Sequence, residues 1–229
     1  MQPLKLLSFR YCPFVQRSEI VLQERGVHYE RVEIDLSYKP EWFSKLSPHG
    51  KVPVLLIDGE HALFESSAIA EYLDETQGGA RLHPQDPLHR AQDRARISSS
   101  SEIGGALWRL VTAVNPQEGE QALDSIRLRL TELDGALGEG PYFRGPSFSL
   151  VDASVAPLLH HAQCVADILP GLGLFDGMDS LSAWVTALRE RPSVRRTTPA
   201  GGQAWYRELV FGRHPVTRGQ QTWLSTQVG

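Results

Sequence analysis

The feature that most narrows the fold is a change of period near residue 77. Before it, strand-like and helix-like segments alternate; after it, only the helical period persists. Residues 4–9 are short and apolar, as in a first strand, and a turn with Pro13 follows. Residues 14–25 have a helical pattern, with Phe14 and Val21, and Val15 and Leu22, seven apart; Gly26 stands where a helix C-terminal glycine belongs. Val32, Ile34 and Leu36 alternate with Glu33 and Asp35 in the period of a half-buried strand. Residues 40–46 read as a short helix with Pro40 in its first turn. Residues 52–57 form a strand, Asp58-Gly59 signals a hairpin, and residues 61–64 return. Ser66 is placed to cap a helix reaching Thr76. The order β-α-β-α-β-β-α makes the first two strands parallel, because a helix crosses between them, and the last two antiparallel.

Breakers crowd the stretch from Gln77 to Pro87, so the expected division is an α/β domain at 1–78, a linker at 79–87 and an all-α domain at 88–229. In the second domain Leu123, Ile126, Leu130, Leu133 and Leu137 are spaced 3-4-3-4, too few heptads for a coiled coil but enough for a bundle helix. Ser149 and Asp152 have the spacing of a capping box, which makes Asp152 structural rather than catalytic. Residues 180–191 and 203–211 read as further helices, and the polar segment from Gly212 onward as a loosely packed tail.

The net charge of −4, from 23 Lys+Arg against 27 Asp+Glu, excludes general binding to nucleic acid or to anionic membrane. No apolar run is long enough to span a bilayer, and the first eight residues are too weakly apolar for a signal peptide. Two cysteines, Cys12 and Cys164, do not make a disulfide scaffold; a reducing cytoplasm is the expected compartment. The His160-His161 pair lacks a companion ligand spacing, so no metal is expected.

Cys12 carries the most information. It ends a strand and precedes Pro13, so with Pro13 as the first helical residue it becomes the N-cap. Proline offers no N–H, but Phe14 and Val15 do, and with the positive helix end they would hold a thiolate and depress its pKa. A buried, inert thiol is the plainer alternative. A dithiol site would need a second cysteine at position 15, which is Val15, while Cys164 lies among apolar neighbours and reads as core. Any mixed disulfide on Cys12 must therefore be released by an external thiol, and glutathione is the abundant one.

A tripeptide site is also legible. The Val52-Pro53 bond is a candidate for cis, which would expose the Val52 backbone to an added strand. Ser66 would offer a hydroxyl and an N–H to a carboxylate, Glu65 would pair with an ammonium, and Lys39 would hold a second carboxylate. Singly, these are an N-cap, solvated charges and a strand-edge proline; their order around Cys12 is what points to a ligand.

The runs Cys12-Pro13-Phe14-x-Gln16-Arg17, Lys51-Val52-Pro53-Val54-Leu55 and Glu65-Ser66-Ser67-Ala68-Ile69 resemble the cytosolic glutathione transferase superfamily. The chain is most similar to its cysteine-containing omega, lambda and dehydroascorbate-reductase classes. Lys39-Pro40-Glu41-Trp42-Phe43 and Glu71-Tyr72-Leu73-Asp74 extend the likeness over nearly the whole chain. The resemblance implies a thioredoxin-like N-terminal domain, an all-helical C-terminal domain and a homodimer. It implies that Cys12 forms a mixed disulfide with glutathione and that Val52 pairs with its cysteinyl unit. Glu65 and Ser66 would hold the γ-glutamyl end, and Lys39 the glycine carboxylate.

The expected activity is glutathione-dependent thiol transfer or reduction, with glutathione as co-substrate and neither metal nor nucleotide. The second substrate would be a small electrophile or glutathionylated molecule in a pocket between the domains, with Tyr11, Phe14, Trp108, Trp184 and Trp205 as candidate linings. Conjugation of glutathione to electrophiles, and a non-catalytic protein-binding module, are the two other readings the sequence admits.

Overall fold

Strand β1 (Leu4–Ser8) is the centre of the N-terminal layer, because two other strands pair with it. A computed structural model describes residues 3–227. The sheet order is β2-β1-β3-β4, with β2 at Glu30–Glu33, β3 at Val54–Ile57 and β4 at His61–Phe64. β1 runs parallel to β2, with Lys5 opposite Glu30, and antiparallel to β3, with Leu4 opposite Ile57; β3 and β4 form the antiparallel hairpin. The two inner strands are almost wholly buried and apolar, as strands covered on both faces must be. Helices α1 (Pro13–Glu24), α2 (Glu41–Leu46) and α3 (Ser66–Thr76) complete the order read from the sequence.

The second strand lies earlier than its alternation suggests. β1 ends at Ser8, opposite Glu33, and the Ile34 N–H closes the ladder on the Ser8 carbonyl at 2.8 Å. Ile34 is buried and Leu36 partly so, but no strand remains to pair with them. The alternation reports which side chains face the core; the partner's length decides where hydrogen bonding stops.

Among the described residues seven α-helices follow: α4 (Pro87–Ser100), α5 (Glu102–Thr112), α6 (Pro116–Asp134), α7 (Leu150–Ile168), α8 (Asp179–Glu190), α9 (Pro192–Thr197) and α10 (Gly202–Val210). α6 stops at Asp134, so Leu137 lies beyond the helix that its spacing continued. α7 is the core of this half: nearly every residue is buried, and its N-terminus carries the expected capping box between Ser149 and Asp152. Asp152 also accepts from the Phe143 N–H at 2.9 Å and from Trp184 Nε1 at 2.7 Å. This corrects the placement of Trp184 at the second-substrate pocket. Its indole is buried against Phe143 and anchors α8 to the capping box, where the N–H finds the partner that a buried tryptophan needs.

The segment after α10, described as far as Gln227, is mostly exposed, but four buried residues, Thr217, Thr222, Trp223 and Leu224, pin it to the helical domain; residues 228–229 lie outside the described residues. Trp223 lies flat on α6 at Gly119, where a Cβ would come within 2.0 Å of the indole, and its N–H donates to the Ala113 carbonyl at 2.7 Å. Thr217 Oγ1 donates to the Leu209 carbonyl at 2.9 Å, and Thr222 Oγ1 to the Val210 carbonyl. Both threonines and Leu224 are fully buried. The polar composition is misleading because these hydroxyls satisfy the open carbonyls at the end of α10. Gly119→Ala should force Trp223 off α6 and lower stability by about 1–3 kcal/mol. Gly105→Ala, at an exposed helical site, should be neutral or slightly stabilising; urea melts of the two variants check this.

Candidate active site

The turn that carries Cys12 closes through its N–H, which donates to the Phe9 carbonyl at 3.0 Å. Cys12 is the extended N-cap of α1, with Pro13 at the first helical position, as its sequence requires. Its side chain makes no capping hydrogen bond. Sγ instead faces the Val52 carbonyl at 3.9 Å, across the cis Val52-Pro53 bond that precedes β3. Burial, the largest influence, pushes the Cys12 thiol up. The N–H groups of Val15 and Phe14 and the charge of Arg17 pull it down without overcoming burial. The expected depression of its pKa is thereby corrected: the helix terminus acts in the anticipated direction, and desolvation is stronger.

Beside Cys12 lies a cleft of 530 Å³ between the two halves of the chain. Val52, Pro53, Glu65, Ser66 and Phe14 line one wall, and Arg94, Ile97, Ser98 and Ser101 from α4 and its end line the other. Glu65, not Ser66, is the N-cap of α3, with φ at +68°, so Ser66 is the first helical residue. A non-glycine residue there stores about 1–3 kcal/mol of strain. The strained backbone turns Glu65, Ser66 and Ser67 together into the cleft. Lys39 stands just outside it, its Nζ over Gly50, between His49 and Lys51 of the cleft wall.

Arg17 is the feature that sequence reading noted only as part of a motif. It is 2% exposed and lies at the base of the cleft. Its Nη1 donates to Ser66 Oγ at 3.0 Å, its Nη2 to Ser101 Oγ at 2.9 Å, and its Nε and Nη2 to the Ser154 carbonyl. One guanidinium thus joins α1, α3, the start of α5 and α7. Burial lowers its pKa to about 10, so it stays charged at neutral pH. The Ser66 hydroxyl, expected as a helix cap, is an acceptor for Arg17 instead.

Three of the proposed pocket aromatics meet. Tyr11 stacks on Trp205 of α10 with centroids 5.0 Å apart, and half-exposed Trp108 of α5 stacks on the same indole at 6.5 Å. Phe14 belongs to the cleft instead, packed where Gly104 leaves room on α5 and beneath the Arg17 guanidinium. Cys164 is buried on α7, its thiol pushed up to about 11 by burial. His161 is held by the Tyr206 hydroxyl at 2.8 Å, and burial lowers its pKa to about 3. His49 and Arg94 also line the cleft, beside Lys51 of the Lys51–Leu55 motif. Glu71 holds Arg94 by a two-pronged contact, and a Glu and an Arg 23 positions apart carry no local signal.

Because the Cys12 thiol is raised, its alkylation by iodoacetamide should climb about tenfold per pH unit through neutrality and not level off until alkaline pH. A plateau below neutral pH would contradict this balance of burial against amides.

The chain is similar to known proteins over both halves. The family profile for the glutathione S-transferase N-terminal domain matches residues 6–81, and that for the C-terminal domain matches residues 116–187. Glutathione S-transferase omega-1 of Sus scrofa is 30% identical over 193 residues, covering 83% of this chain and 78% of that protein. A probable cytosolic glutathione S-transferase DHAR1 of Oryza sativa subsp. japonica is 32% identical over 195 residues, covering 82% of this chain and 84% of that protein. The crystal structure of glutathione transferase Omega 3C from Trametes versicolor superposes with a TM-score of 0.72 at 31% identity, over 86% of this chain and 89% of that one. With a thioredoxin-like sheet domain, a helical second domain and a cysteine where the first helix opens, the chain belongs to the glutathione S-transferase family and is omega-like within it.

Proposed function

We propose that this transferase works as a glutathione-dependent thiol transferase or reductase with Cys12 as its nucleophile. The observation that carries the reading is convergence: Cys12 Sγ faces Val52 at 3.9 Å, and Val52, Pro53, Glu65 and Ser66 line the adjoining cleft. Glutathione lies along Val52 as an added strand, with its cysteinyl unit against that backbone. Its γ-glutamyl ammonium pairs with Glu65, and its carboxylate meets Ser66 and the free N–H groups opening α3. Lys39 takes the glycine carboxylate.

In the first step the Cys12 thiolate attacks the glutathionyl sulfur of a mixed disulfide. A new disulfide forms, the old one breaks, and the substrate thiol leaves with a proton. In the second step the thiolate of another glutathione attacks the glutathionyl sulfur on Cys12, releasing glutathione disulfide and restoring the cysteine. Net, the substrate mixed disulfide and one glutathione thiol become the substrate thiol and glutathione disulfide, one half of which comes from the substrate. Cys164 is buried and raised, a poor resolving thiol, which supports an external one. The second substrate sits over the Tyr11–Trp205–Trp108 stack. The protein acts in the cytoplasm as a homodimer of the 25.5 kDa chain.

Exposure to oxidised glutathione should add one glutathionyl group, read by intact mass, and reduced glutathione should remove it. Cys12→Ala should abolish the adduct and lower thiol transfer by at least about 100-fold. Conjugation that survives Cys12→Ser while reduction is lost would assign the protein to conjugation instead. Trp205→Ala should raise KM for an aromatic second substrate about tenfold and leave KM for glutathione unchanged.

A further inference from the structure

Among the described residues, arginines elsewhere pair with the carboxylates they reach: Arg25 with buried Asp74, Arg31 with buried Glu19, Arg144 with buried Asp93, and Arg191 with half-buried Glu24. Arg17 is different. It is fully buried, yet its guanidinium touches only two serine hydroxyls and a backbone carbonyl, and among the described residues no carboxylate stands within ion-pair distance. The Phe14 ring, 5.5 Å from its charge, is the one further favourable contact. A lone buried cation costs several kcal/mol, and arginine cannot escape that cost by losing its proton at neutral pH. Neutral serines would be an odd choice of partner if holding four helices together were all that Arg17 did.

We propose that Arg17 is a positioning residue for the Cys12 chemistry: a buried cation left without a carboxylate, so that the anion it balances is the thiolate the reaction requires. This rests on reading Cys12 as the nucleophile. Arg17 lies at the base of the cleft that opens beside Cys12, five positions further along the chain, and its charge acts on the sulfur. The charged and titratable groups acting on Cys12 are Arg17 and Glu19 from α1 and Tyr206 from α10; from the segment before β3 it meets the Val52 carbonyl. Arg17 in turn feels Cys12 and the Glu65 carboxylate across the cleft. Of these groups Arg17 alone is cationic, and it opposes the burial that raises the thiol. When Cys12 is covered as a mixed disulfide, the same charge and the Ser66 hydroxyl it orients remain for the glutathione carboxylate.

The test is the pH dependence of Cys12 alkylation by iodoacetamide in a Cys164→Ala background, followed by intact mass. Arg17→Met should move the midpoint up by about one pH unit, which is about tenfold slower alkylation at neutral pH. Arg17→Lys should restore most of that shift. Ser101→Ala, which removes a hydrogen-bond partner but keeps the charge, should leave the midpoint where it is. Should Arg17→Met fail to fold by circular dichroism, Arg17→Gln, which still donates to a serine, must move the midpoint the same way. An unmoved midpoint in a folded, uncharged variant overturns the proposal, as does a shift in Ser101→Ala as large as that of Arg17→Met. Full thiol transfer by Cys12→Ala would sink the nucleophile itself, a separate result.

Discussion

Helix α1 is enclosed on every side, and the rest of the structure depends on that enclosure. It packs on α3 in its own domain and on α7 and α9 of the helical domain, so the run from Val15 to Leu22 is buried without a break. Half of that run is polar. Gln16, Arg17 and Glu19 find partners inside, several of them in the other domain, while the Ser18 hydroxyl is left without one. Gln16 Nε2 donates to Thr198 Oγ1 at 3.0 Å, and Arg17 reaches Ser101 and Ser154. At the far end, Arg191 grips Glu24 through two hydrogen bonds while lying over the Phe148 ring at 4.7 Å. Burial would raise the Glu24 carboxyl, but Arg191 and Ser193 outweigh it and hold it below the usual range. The sheet domain is thus bound to the helical one by polar groups that would be costly to leave unpaired.

That enclosure has a chemical consequence at the helix's opening. The same packing that seals α1 withdraws solvent from Cys12 and raises its thiol, while the first-turn amides and Arg17 act the other way. The site sets desolvation against fixed positive charge, and desolvation is the larger of the two. An attacking thiol works best with a pKa near ambient pH, since a strongly depressed one is a weak nucleophile and an ordinary one is seldom ionised. Strain at Glu65 serves the same cleft. A left-handed residue at the cap brings a carboxylate, a hydroxyl and the free amides of α3 to one wall.

Much of this was legible in the residues. The alternation of periods, the hairpin at Asp58-Gly59 and the Ser149–Asp152 box are local patterns, and each has the structure it implies. The candidates Cys12, Val52, Pro53, Glu65 and Ser66 sit beside one cleft because they lie at strand ends and helix starts, which a four-stranded sheet gathers at one edge. What misled was polarity. Threonines in the terminal segment looked solvated but seal α10, Trp184 looked like a pocket wall but serves Asp152, and Ser66 looked like a cap but holds Arg17. In each case the partner lies beyond the few residues a local pattern spans, from 8 positions for Thr217 to 49 for Ser66.

The amino-acid order by itself determined the elements, their sequence along the chain, the cysteine at the mouth of the first helix and the resemblance that named the family. Those properties follow from backbone preference and side-chain period, which act over a few residues. The tertiary structure alone decided how ionised that cysteine is, which arginine is left without a carboxylate, and which tryptophans share a stack. Burial and charge balance belong to the three-dimensional neighbourhood, where residues far apart in the chain set each other's free energy.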